Sequence, residues 1–182
     1  MHDDIDIAPI VRRVQAIPYA WPSPPDAESA RASGTGSCAS KHALLAEELL
    51  GVGIESLPLL VVGPLVPRIL AEDPAVAPGR FLPEVHECLT VLTPWAGPLR
   101  VDVTWDPPLI ARGLPGTLDW DGHSDMSLAV GEGGPCWAVP REGLRAAKEA
   151  LRARLYRHGE REIRDRVLAA MARRFEEWRS GS

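Results

Sequence analysis

The sequence predicts an α+β fold in which helices pack on an antiparallel sheet, and three observations carry this. Two segments, Glu84-Val-His-Glu-Cys-Leu-Thr-Val-Leu92 and Leu99-Arg-Val-Asp-Val-Thr-Trp105, alternate in polarity with the period of two that strands require. Apolar residues recur at helical spacing after Ser37. Two more amphipathic helical segments close the chain.

Taken in order, residues 1–36 read as mostly irregular. Tyr19-Ala-Trp-Pro-Ser-Pro-Pro25 cannot form a regular helix, because proline removes donors and restricts its predecessor. A helix should start at about Ser37, a good N-cap, carry Ala43, Leu45, Ala46, Leu49 and Leu50, and stop at Gly51 and Gly53. Ile54 to Val62 reads as a buried strand, weakened by Pro58. Pro64 to Arg80 holds four prolines and predicts a loop with at most one helical turn. The two alternating segments follow as strands, joined through Thr93-Pro-Trp-Ala-Gly-Pro98 as a hairpin with a longer loop. Residues 106–138 are turn-rich. Helices are predicted over about 141–157 and 160–178, separated by Gly159. The stripe of Ile163, Val167, Met171, Phe175 and Trp178 is expected to pack on the chain's own core, and the charged remainder of both helices to be solvated.

A length of 182 residues suits one domain with a sizeable core. Within it, residues 1–33 are an N-terminal segment, 34–138 the core that carries the chemistry, and 139–182 a helical extension. Acidic residues outnumber basic ones, 25 to 20, which argues against nucleic acid as a partner. No apolar run reaches the roughly 20 residues that span a bilayer, so no membrane partner is expected. The acidic start MHDDIDIAP does not resemble a signal peptide, and three cysteines without CxxC spacing suit a reducing compartment. Both point to a cytoplasmic location.

The chemistry centres on Cys38. A thiol in the first turn of a helix meets unpaired N–H groups and the positive end of the helix dipole, which favour its thiolate. Gly34-Thr-Gly-Ser37 gives a substrate room to approach, and the Cys38 backbone N–H can donate to an oxyanion. A thiol nucleophile needs a base, and the base needs an orienting carboxylate. His86 on one strand and Asp102 on the next supply both, with Asp106 as the substitute carboxylate. Tyr19, ahead of Trp21 and Gln15, is the candidate second oxyanion donor. Trp105, with Trp120, is a candidate wall of the substrate cleft.

The segments Gly34-Thr-Gly-Ser-Cys-Ala-Ser-Lys-His-Ala-Leu-Leu45, Pro83-Glu-Val-His86 and Arg100-Val-Asp-Val-Thr-Trp105 resemble, in order, the transglutaminase-like superfamily. The resemblance covers residues 34–105. It implies a papain-like core with a helix bearing Cys packed on an antiparallel sheet bearing His and Asp. It further implies a cysteine-dependent acyl-transfer enzyme that forms a covalent thioester and then hydrolyses or makes an amide. The expected substrate is a small-molecule or peptide acyl donor, carrier-bound thioesters included, and no cofactor or metal is required. Where the superfamily often has H-x-W, this chain has His86-Glu87-Cys88. The alternative is a non-catalytic binding module on the same fold.

Plainer roles compete for several residues. Cys88 and Cys136 are expected in the core, Lys41 on an exposed helix face, and His123 in a loop. A zinc site would need short paired ligand spacings, and only His86-x-Cys88 comes close.

Overall fold

The structure, a computed structural model, describes residues 5–181. It is α+β: four antiparallel strands in the order β3-β2-β1-β4, with six helices. The strands are β1 (Glu55–Pro64), β2 (Pro83–Thr93), β3 (Gly97–Val101) and β4 (Cys136–Ala138). The helices are α1 (Ala8–Gln15), α2 (Ala27–Ser33), α3 (Cys38–Gly51), α4 (Pro107–Ala111), α5 (Leu144–Leu155) and α6 (Glu160–Ser180). Among the described residues no helix is long and apolar enough to cross a membrane.

The region ahead of Cys38 is more ordered than its prolines suggest. In α1, Asp6 accepts from the Ala8 N–H at 3.0 Å, Pro9 lies in the first turn where its missing donor costs nothing, and Val11 and Val14 are buried with Ile7. In α2, the Asp26 carboxylate accepts from both the backbone N–H and the hydroxyl of Ser29, and Gly34 ends the helix at φ 67°. Between them the chain runs alongside Gly36. Gly36 donates its N–H to the Pro18 carbonyl and accepts from the Ala20 N–H, both at 3.0 Å. A Cβ on Gly36 would lie 2.8 Å from the Ser40 hydroxyl, so this close approach requires glycine. Tyr19 is thereby fixed beside the start of α3.

Helix α3 begins where predicted. Ser37 is its N-cap, and the Ser40 hydroxyl accepts from the Ser37 N–H at 2.9 Å. Leu45 and Leu49 of α3 join Leu89 and Val91 of β2 and Val101 of β3 in the largest core cluster. Lys41 is not on an exposed face: it is wholly buried and donates to the carbonyls of Gln15, Ile17 and Thr104 at 3.0, 2.7 and 3.0 Å. Burial pushes its ammonium down to about 7 against the pull of Asp106 and Asp102. Three backbone carbonyls, invisible as a pattern in sequence, are what recruit a cation there.

The predicted hairpin forms between β2 and β3, with Thr93 paired to Gly97. The Thr93 hydroxyl accepts from the Ala96 N–H and donates to the Gly97 carbonyl, and Gly97 takes φ 75°, as a three-residue hairpin loop requires. Strand β3 stops at Val101 instead of running to Trp105. Just beyond its end, two N–H groups turn to side chains: Val103 donates to His42 and Thr104 to Asp102. Residues 64–80 hold only one short helical turn, Arg68–Leu70. The turn-rich stretch after Trp105 contains α4, with Asp106 as N-cap and proline in the first turn, and the short edge strand β4.

The stripe on α6 packs inward. Val167, Met171 and Phe175 are buried in a second cluster with Tyr19, Leu109 and Trp105, and Ile163 and Trp178 pack at its edge. The charged residues of α5 and α6 are not uniformly solvated, however. Lys148 is the buried residue of α5, and Arg164 is buried on α6. Their partners lie on β2: Lys148 pairs with Glu87 at 3.1 Å, while Arg152 and Arg164 both hold Glu84, at 2.9 and 2.5 Å. The Tyr156 hydroxyl adds a bond to the Pro83 carbonyl at 2.8 Å. Helix α5 is thus fastened to the sheet chiefly by charge pairs.

Candidate active site

Cys38 is the first residue of α3, where N–H groups of the opening turn have no intrahelical acceptor. The β2–β3 register pairs Leu89 with Val101; continued one step it sets Cys88 opposite Asp102, with His86 diagonal to the carboxylate. The diagonal closes as a hydrogen bond of 2.7 Å from His86 Nε2 to Asp102 Oδ2. The other ring nitrogen is free of that bond, and Cys38 and His86 line the same cleft, close enough that each shifts the proton affinity of the other. The structure therefore brings together Cys38, His86 and Asp102.

Asp102 is held from all sides. Beside His86 it accepts from the Ala129 N–H at 2.8 Å, the Thr104 N–H at 3.1 Å and the Thr104 hydroxyl at 2.7 Å. Burial alone would raise its carboxyl, but the His86 charge and hydrogen bond outweigh that and hold it well below the usual range. Burial likewise opposes charge on His86, yet Asp102 and Cys38 pull it up to about 10. For Cys38, burial acts upward, while the Lys148 ammonium and His86 act downward more strongly, so the thiol lies below its ordinary value. Both directions favour a thiolate beside an imidazolium.

A rate measurement checks this. Alkylation of Cys38 by iodoacetamide is expected to level off at a lower pH than that of an ordinary thiol, which titrates at about 8.5. Mass analysis of the digest separates Cys38 from the exposed Cys136. A Cys38 profile matching an ordinary thiol would remove the thiolate account.

Two residues missed at the sequence level complete the site. His42 sits one turn along α3 from Cys38. It donates from Nδ1 to the Cys38 carbonyl at 2.7 Å, while its Nε2 accepts the Val103 N–H at 3.0 Å. Both bonds together fix one neutral tautomer, and burial pushes its pKa down to about 4. His42 ties the start of α3 to the segment that carries Asp102. Lys148 lies 3.9 Å from the Cys38 sulfur. The i, i+4 spacing of Cys38 and His42 was the only available signal for the first; nothing local marks the second.

The remaining candidates separate. Tyr19 and Trp105 both line a cleft of about 830 Å³ that opens onto Cys38 and His86. Their rings meet edge-on at 4.7 Å, and the Trp105 indole N–H donates to the Ala129 carbonyl. Burial, reinforced by charge on Cys38, pushes the Tyr19 hydroxyl up, so it keeps its proton. Trp21 also lines the cleft, with the Arg164 guanidinium 5.2 Å above its ring. Trp120 does not: it is buried in the main core, its N–H donated to Ser124. Gln15 donates to the Thr117 carbonyl, away from the cleft. Asp106 is no substitute for Asp102, because it accepts from the Tyr19 N–H and pairs with Arg179. Cys88 is buried as expected, but Cys136 is exposed on the edge strand β4. His123 lies exposed near Trp95.

Among the described residues, His86, Cys88 and Asp102 alone place three metal-ligating atoms within 4.8 Å of one another. His86 already donates to Asp102, and burial holds the Cys88 thiol protonated, so a cation would have to displace protons from both. No family model, no curated protein and no solved structure matches the chain.

Proposed function

We propose that this protein is a cysteine-dependent acyl-transfer enzyme with a papain-like core of the transglutaminase-like kind. The observation that carries the reading is Cys38 at the start of α3 lining one cleft with His86, whose ring is hydrogen-bonded to the buried Asp102. The Cys38 thiolate attacks an acyl carbonyl, His86 returns a proton to the leaving group, and a thioester forms on Cys38. Water or an amine then takes the acyl group, with His86 accepting its proton. Asp102 keeps the imidazole in the working orientation. Tyr19 and Trp105 wall the reacting carbonyl from solvent.

The reading extends to substrates that present an activated acyl group, ester or thioester, from a small molecule, a peptide or a carrier, with the protein acting in the cytoplasm. A non-catalytic module on this scaffold has no use for a buried thiolate–imidazolium pair, which costs stability to maintain.

The test is intact-mass analysis after exposure to p-nitrophenyl acetate and a panel of acyl thioesters. The expected result is one acyl adduct per chain, mapped to Cys38, labile to hydroxylamine and absent from Cys38→Ala. An adduct elsewhere, or none, rejects the reading.

A further inference from the structure

Lys148 is not needed to explain how Cys38 loses its proton, since His86 alone can accept it. Its place in the structure asks for another role. Its ammonium is buried, 3.9 Å from the sulfur and 3.1 Å from Glu87. Beyond it, Arg152 and Arg164 hold Glu84, while His86 pairs with Asp102, so Glu87 and the Cys38 sulfur are the groups left to face Lys148. An ammonium that only stabilised the resting thiolate would slow attack, because a less basic thiolate is a poorer nucleophile. Only an interaction stronger in the transition state speeds the reaction.

Resting on the acyl-transfer reading above, we infer that Lys148 is the second oxyanion donor: with the Cys38 backbone N–H, its ammonium takes the negative charge that leaves the sulfur as the carbonyl is attacked. The sulfur–carbon bond forms and the carbonyl π pair moves onto oxygen. That oxygen lies within roughly 3 Å of the sulfur. An ammonium 3.9 Å from the sulfur is therefore within a small side-chain movement of it. When the adduct collapses, the pair returns to the carbonyl, the bond to the leaving group breaks, and His86 protonates that group. Lys148 keeps its proton throughout. The local charge balance is the same before attack and in the adduct, because the charge has moved from one atom to its neighbour and Lys148 follows it.

Tyr19 is the less suitable donor. Its ring is fixed edge-on against Trp105 and Phe175, and a neutral hydroxyl offers an oxyanion less than a desolvated ammonium does. The assignment also gives the C-terminal extension a part in the chemistry that residues 34–105 do not provide.

Two reactions of the same sulfur test this. Iodoacetamide is displaced at a saturated carbon and generates no oxyanion, whereas p-nitrophenyl acetate must pass through one. Lys148→Met is compared with wild type at the high-pH plateau of each reaction, so that thiol ionisation cancels. The expected result is an acylation plateau about 10²-fold lower with the alkylation plateau within about threefold. Lys148→Arg is expected to recover part of the loss. Equal falls in both plateaus, or no fall in acylation, overturn the inference while leaving the acyl-transfer reading intact. Failure of wild type to acylate overturns that reading, and the inference with it. Because Lys148→Met strands the buried Glu87, the double variant Lys148→Met with Glu87→Gln removes both charges and is held to the same ratio.

Discussion

Replacing Asp102 with asparagine is expected to lower the plateau rate of acylation by p-nitrophenyl acetate about 10⁴-fold, with the chain still folded by circular dichroism. The carboxylate has three tasks that an amide cannot share. It accepts from His86 Nε2, it accepts from the Ala129 N–H and both Thr104 donors, and its charge holds the imidazolium. Asparagine offers one oxygen for these donors and turns an N–H₂ toward others. His86 then loses its main upward influence, so the thiolate–imidazolium pair weakens. The alkylation profile of Cys38 is expected to move to higher pH in the same variant. An acylation rate within tenfold of wild type would show that Asp102 only supports the loop after β3.

Glu84→Ala is expected to cost about 3–5 kcal/mol, read as a lower urea midpoint. Glu84 is the single carboxylate between two guanidiniums, and both lie against the sheet with little solvent. Arg152 Nε is already buried without a partner, and the substitution leaves the two cations only the largely exposed Glu149 and Asp165. Hydrogen exchange is expected to rise first in α5 and α6. Glu84→Gln, which keeps one acceptor, is expected to lose less. Burial acts upward on the Glu84 carboxyl, but Arg164 and Arg152 outweigh it and hold the folded value below the ordinary 4.5. The sign follows from that direction: the contribution is complete above 4.5 and is lost as pH falls through the lower folded value. Acid is therefore expected to loosen the two C-terminal helices.

Legibility in the sequence tracked the range of the interactions. Helix α3 and the β2–β3 hairpin were readable because their signals are local: a serine cap, a run of apolar residues, alternation, a glycine-bearing loop. The proximity of Cys38, His86 and Asp102 followed from that hairpin plus one helix. Helices α1 and α2 were hidden by prolines whose effect depends on position, harmless in a first turn and disruptive two residues later. Asp102 was read as lying within a strand because the residues around it alternate; the strand stops just short of it, and side chains take the Val103 and Thr104 N–H groups. Lys41, Lys148, Arg152 and Arg164 were all read as solvated cations. Each is drawn in by partners far along the chain, three backbone carbonyls in one case and two β2 carboxylates in the others, and all but the half-buried Arg152 are buried. No local pattern distinguishes a helix lysine that faces water from one that faces a glutamate over 60 residues away.

The ammonium beside Cys38 arrives from 110 residues downstream. That separation gives the reactive centre a sense of time. During synthesis, α3 and the hairpin carrying His86 and Asp102 precede α5 out of the ribosome, and until α5 docks the sulfur lacks the ammonium beside it. The nascent thiol is then closer to an ordinary one, less prone to stray alkylation and oxidation, and it gains its cationic neighbour only once α5 has been made and docked.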